Sequence, residues 1–178
     1  FFYQPPSGFK ALSTQNLSDP AVKPGEHFNA VTYTGSGGTT QSLTGTGFQP
    51  DLTWIKARAL TYDHVVSNSV VGGSSTTTGT HMSMNLSDAE PSNTNGHVQS
   101  FDSDGFTVRT GSSGGSPAAG THENTVSYVS WNWKAGTSVS GTTAGAGTGK
   151  AYSGSVNTSN GFSIIKYLGN GTAGHGIP

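Results

Sequence analysis

The chain has 178 residues, of which Gly, Ser, Thr and Asn supply 87, charged residues are 10% and the formal net charge is -1. The absence of Cys excludes a disulfide framework and any Cys-ligated zinc or iron–sulfur site, and no apolar run approaches the roughly 20 residues of a membrane span. Only 8 Lys and Arg at a pI of 6.6 exclude an electrostatic footprint for nucleic acid, while near-zero charge with 10% aromatics sets the chain apart from disordered polypeptides.

In chain order, the first run, Phe1-Phe2-Tyr3, has nothing before it to pair with, and the last, Gly176-Ile177-Pro178, directly follows a strand-like segment. Both ends read as cut from a longer polypeptide. Between them, strands are expected at 31–33, 53–56, 63–67, 106–109, 126–133 and 163–167, where β-branched and aromatic residues cluster between Gly, Ser and Asn turns. No segment repeats apolar residues at i, i+3, i+4 and i+7 over three turns, and at most a helical turn fits 87–90. The pattern predicts an all-β fold, an antiparallel β-sandwich of jelly-roll or concanavalin-like type.

Side-chain alternation assigns faces. Over 126–133, Val129, Trp131 and Trp133 share one face, and Tyr128, Ser130, Asn132 and Lys134 share the other. Each aromatic ring buries on the order of 150–250 Å², so the Trp face is expected to be the core, together with Trp54. The competing use of Trp131 and Trp133 is a platform on which sugar rings stack.

An internal repeat sets the organisation. Phe28-x4-Tyr33-x-Gly35-x-Gly37 recurs as Phe162-x4-Tyr167-x-Gly169-x-Gly171, offset by 134 residues. Each copy runs through a Thr/Gly-rich stretch to Gly47-Phe48-Gln49-Pro50 or Gly176-Ile177-Pro178. The period is that of a domain rather than of a solenoid unit. The expected divisions are the end of a preceding domain at 1–24, a complete module at 25–135, a Gly/Thr/Ser linker at 136–149 and the start of a second, truncated module at 150–178.

Motif-like strings carry little chemistry. Gly111-Ser112-Ser113-Gly114-Gly115 fits G-x-S-x-G, but Pro117 and Gly120 follow where a nucleophile elbow needs a helix. The run 144–151 lacks the first Gly and the Ser or Thr of a phosphate loop. The six His form no zinc-binding pair; His81 lies near Met82 and Met84, and His122 beside Glu123. Asp102 and Asp104 are weak calcium candidates, since the twelfth loop position is Ser113; a turn in which the Asp side chains bond nearby backbone N–H groups and Gly105 takes positive φ accounts for them better. Asp88 and Glu90 read as a solvated pair rather than a glycosidase dyad. No catalytic residue, metal or cofactor is expected. The candidate binding residues are those of two Ser/Thr/Gly loops, Gly72, Ser74 and Thr77 in one and Gly111, Ser113 and Thr121 in the other.

Phe48-Gln49-Pro50-Asp51-Leu52-Thr53-Trp54-Ile55-Lys56-Ala57-Arg58 resembles the GFQPDFVWIKNR element of a repeated domain in structural proteins of tailed bacteriophages, especially marine ones. The runs Ser100 to Phe106 and Tyr128 to Gly136 are similar to two further elements of that domain. Pro5-Pro6-Ser7-Gly8-Phe9-Lys10-Ala11-Leu12 resembles the closing segment of a SPRY-like, concanavalin-like sandwich. The resemblance implies a non-enzymatic virion module in a tail fibre, an appendage or a capsid decoration. Its partners would be other virion proteins or copies of itself, and host-surface polysaccharide, with no nucleic acid and no membrane insertion. The alternative is a secreted carbohydrate-binding or carbohydrate-cleaving β-sandwich.

Overall fold

The computed structural model describes residues 6–9, 20–72, 80–87, 89 and 94–177. Among them the only helical element is a 3-10 turn at Pro24–Glu26, which begins on Pro and donates its last N–H groups to Lys23 and Pro24 carbonyls. Twelve strands follow: β1 Phe28–Thr34, β2 Thr40–Thr44, β3 Leu52–Ala57, β4 Val65–Asn68, β5 His97–Asp102, β6 Gly105–Arg109, β7 Ser127–Trp133, β8 Thr137–Thr142, β9 Ala144–Gly145, β10 Ala151–Asn157, β11 Phe162–Tyr167 and β12 His175–Gly176. The fold is all-β.

All strand pairs are antiparallel. One sheet runs β1-β7-β3-β4, a second β2-β6-β5, a third β11-β10-β8, and β12 pairs with β9. Every strand expected from the sequence is present. The stretch 136–149, read as a linker from the sequence, contains β8 and β9. Its Ser, Thr and Gly side chains give no apolar alternation, yet the backbone of β8 pairs with β10 from Thr137 to Thr142.

The first two sheets share one core. Ile55, Ala57, Val65 and Tyr128 of the four-stranded sheet meet Leu43, Val98, Phe106 and Val108 of the three-stranded one. This overturns the expected face of β7, because the Trp side is not the core side. Tyr128, Ser130 and Asn132 are buried, whereas Val129, Trp131 and Trp133 are half-exposed. The same inversion holds for β3, where Thr53, Ile55 and Ala57 point inward and Trp54 outward.

The reason is a hydrogen-bonded layer beneath the sheet. Thr53 Oγ1 donates to Asn132 Oδ1 at 3.0 Å, and Asn132 Nδ2 donates to the Asn29 carbonyl at 3.2 Å and Ser130 Oγ at 3.1 Å. Asn29 Nδ2 donates in turn to the Gly45 and Thr46 carbonyls at 3.2 Å each. The buried amide therefore has partners on three strands and, through Asn29, on the loop that ends β2. Satisfied in this way, polar side chains can occupy a core face at little net penalty.

Asp102 and Asp104 fasten the β5–β6 turn. Asp102 accepts from the Ser100 hydroxyl at 2.9 Å and the Thr107 hydroxyl at 2.7 Å. Asp104 accepts from the N–H groups of Gly45 at 3.2 Å and Gly47 at 2.7 Å. The backbone N–H partners of the turn thus lie on a distant loop rather than beside it. Gly105 has the expected positive φ, at +154°.

Candidate functional site

The outward face of the four-stranded sheet carries the chain's tryptophans. Register fixes its rows: Phe28 lies opposite Trp133, which lies opposite Leu52; Ala30 lies opposite Trp131, which lies opposite Trp54; Thr32 lies opposite Val129, which lies opposite Lys56. Directly paired residues share a face in an antiparallel sheet, so these side chains form one continuous surface. The Trp54 and Trp131 rings meet edge to face, with centroids 5.6 Å apart and planes at 62°. Trp133 is flanked by Phe28 at 5.0 Å and by Phe162 of β11 at 6.2 Å, the latter stacked at 21°.

Polar groups border the aromatic rows. Trp54 Nε1 donates to His64 Nδ1 at 2.8 Å, which fixes the indole, and the residue is partly buried. Lys56 Nζ is held by the Ala57 and Leu60 carbonyls at 2.8 Å each. A cleft of about 250 Å³ opens beside Trp133, lined by Pro24, His27, Phe28, Asn160 and Phe162. His27 Nδ1 is buried and has no hydrogen-bond partner among the described residues. Phe28 is 41% exposed, and Met82, bridged to Val66 of β4, is 43% exposed, so the apolar surface reaches both edges of the sheet. The face is thus apolar and aromatic, partly buried along its tryptophan rows and exposed at Phe28 and Met82, with polar groups at its border.

The loops singled out from the sequence behave differently. Ser74 and Thr77 lie outside the described residues, as do Asp88 and Glu90. Gly72 closes a turn through its N–H to the Asn68 carbonyl and has φ +93°. In the second loop, Gly111 N–H donates to the Pro117 carbonyl and Ser113 Oγ accepts from Ser116 N–H, so the G-x-S-x-G string is a local turn. Thr121 is not a free loop residue: residues 118–122 are all buried. The reason is a set of three tyrosines. Tyr33 donates to the Thr121 carbonyl at 2.6 Å, Tyr128 to the Ala119 carbonyl at 2.8 Å, and Tyr62 to the Glu123 carboxylate. No apolar periodicity announces such a plug, although the spacing of Tyr33 and Tyr128 on inward strand positions is the signal that could find it.

These phenols resist ionisation. Burial, reinforced by the neighbouring Tyr128, pushes Tyr33 well above the ordinary phenol range. Burial likewise raises Tyr128 to about 12, against the lowering effect of the Glu123 N–H. The hydrogen bond to Glu123 is the largest cause of the upward shift of Tyr62.

His122 is buried beside this plug. A carbonyl only accepts, so His122 Nε2 carries the hydrogen toward Gly38 O at 3.0 Å, and Nδ1 of the neutral ring accepts from Thr121 Oγ1 at 2.8 Å. Burial lowers its pKa, opposed by the Gly38 carbonyl and assisted by His97. A folded-state pKa below the unfolded value of about 6.5 means that the unfolded chain binds the proton first as pH falls. The contribution to stability is therefore complete above about pH 6.5 and is lost below it, down to the folded-state pKa. Melting temperature should fall as pH drops below about 6.5, and less steeply for His122→Gln; equal slopes would show that another group governs the decline.

Among the described residues no three His, Asp or Glu gather into a metal-binding group. Among the described residues, likewise, no helix is long and apolar enough to cross a membrane. Neither a curated protein nor a solved structure matches the chain. Residues 23–178 match one family, and the match spans both copies of the Phe-x4-Tyr element together with the aromatic face. The chain thus belongs to the family described as a domain of unknown function, DUF7483.

Proposed function

We propose that the chain is a non-enzymatic structural and binding module of a tailed-phage virion, in a fibre, an appendage or a capsid decoration, and that its aromatic sheet face contacts host-surface glycans. The observation that carries the binding role is the placement of Trp54, Trp131 and Trp133 on one half-exposed face. The electron-rich face of an indole attracts the partly positive C–H groups on the flat side of a pyranose ring. The bordering threonines of β1 are exposed and of the right size to reach sugar hydroxyls. The virion setting rests on the motif resemblance of 48–58, 100–106 and 128–136. In the same reading, the two core-sharing sheets are a β-sandwich, and the 134-residue repeat marks modules in tandem within a longer virion chain.

This reading moves recognition from the loops to a sheet. A single shallow face binds sugar weakly, and several copies held in one appendage raise apparent affinity by about 10²–10⁴. Binding of the chain to immobilised bacterial polysaccharides tests the proposal. Trp131→Ala and Trp54→Ala should each weaken retention by about tenfold or more, the size expected for a lost aromatic anchor. Retention unchanged in both variants would leave only a spacer role.

A further inference from the structure

The strand β11 has a sequence twin in β1, and the two differ in which edge is occupied. In β1, the Lys134 N–H donates to the His27 carbonyl and the Gly35 N–H to the Val126 carbonyl. Odd-numbered residues therefore turn their backbone groups toward β7, since alternate residues of a strand point to the same side. In β11, the Leu168 N–H donates to the Ala151 carbonyl, so even-numbered residues face β10. Ser163, Ile165 and Tyr167 then direct their N–H and C=O groups to the other edge, which no strand occupies among the described residues. The offset of 134 is even, and these three are the counterparts of Asn29, Val31 and Tyr33, the residues by which β1 holds β7.

Side chains repeat the contrast. Tyr33 stacks on Tyr128 at 5.4 Å and is bonded to Thr121, whereas Tyr167 is 54% exposed. Gly35 must be glycine, because a Cβ there would lie 2.1 Å from the Glu123 carbonyl oxygen. Its counterpart Gly169 has no atom within 4 Å of a Cβ and no positive φ, so nothing among the described residues calls for glycine there. β11 thus carries the features of a first strand without the neighbours that use them. Its Phe162 rests on Trp133, next to the Phe28 contact, at the residue that would lie opposite an incoming tryptophan.

We propose that the free edge of β11 is a docking edge for a strand of the Ser127–Trp133 type from another domain of the same family. The incoming strand pairs antiparallel in the β1–β7 register, with a tryptophan opposite Phe162 and a tyrosine opposite Tyr167. A second copy of this chain as folded does not fit, because its β7 is held on both sides by β1 and β3. The fitting partner is a domain without a first strand of its own. β11 then belongs to two sheets at once and joins successive domains through backbone hydrogen bonds rather than through a flexible tether. The inference concerns assembly and stands whether or not the aromatic face binds sugar.

A fusion in which Tyr167 is followed directly by residues 34–177 of the same sequence places β11 where β1 stood. Amide hydrogens of Ser163, Ile165 and Tyr167 should exchange about 100-fold more slowly in the fusion than in the chain itself. Ser163→Pro removes one N–H from that edge and none from the side facing β10, a position where an edge strand tolerates proline. It should abolish the slow exchange in the fusion and leave the melting of the unfused chain unchanged. Unchanged exchange in the fusion, or a second unit that stays unfolded, overturns the proposal. So does protection of these amides in the unfused chain that rises with its concentration, since the edge would then serve a second copy.

Discussion

Replacing Phe106 by Ala should lower stability by about 3–5 kcal/mol, the usual result of emptying a fully buried aromatic site. Phe106 is wholly buried, lies in the cluster shared by two sheets and meets Tyr33 edge to face at 6.5 Å. Trp131→Ala removes a larger side chain, yet it should destabilise clearly less. Its ring is half-exposed on the outward face and contacts Trp54 rather than the core. The comparison is decisive because a core chosen by side-chain size alone ranks the two the other way. Urea unfolding of both variants measures it, and a Trp131→Ala loss equal to that of Phe106→Ala would return the tryptophans to the core.

Gly105→Ala should destabilise the protein by about 3 kcal/mol or more, although it adds a single methyl group. A Cβ at Gly105 would stand 1.9 Å from the Leu43 carbonyl oxygen, on the strand that pairs with it. The obstacle is backbone, so no side-chain rotation relieves it, and φ +154° adds conformational strain of about 1–3 kcal/mol. Moving β2 away would also pull Gly45 and Gly47 from the Asp104 carboxylate. Thermal melting of Gly105→Ala beside Gly114→Ala, where a Cβ meets nothing within 4 Å, separates this clash from a general effect of losing glycine. Equal melting temperatures would show that β2 yields freely.

Strand existence was legible where β-branched and aromatic residues gather, as in β1, β3, β6, β7 and β11. β8 was not, because its Thr, Ser, Val and Gly side chains are almost all exposed and its strand form comes from pairing with β10. The alternation of β7 was legible but its polarity was not. Ring size argues for Trp131 inward, and only the partners of Asn132 on Thr53, Asn29 and Ser130, remote in sequence, show the opposite. For the site, the tryptophans read as core, with a platform only as the competing use, and it took the fold to bring Phe28, Trp133 and Phe162 into one cluster. The loop containing Thr121 reads as free because Ser, Gly and Ala carry no sign of the tyrosines that cover it.

The amide layer under the four-stranded sheet also answers a question of alignment. Sliding β7 by one residue against its neighbours would exchange its faces and put Trp131 and Trp133 inside. By hydrophobicity alone, that misaligned sheet is a serious competitor. It would leave the Asn132 amide facing outward and strip Thr53 and Asn29 of their partner. Asn132 thereby acts as a key that only one setting of the lock accepts. The tryptophans remain outside, available for contact, because a less greasy residue holds the inside place.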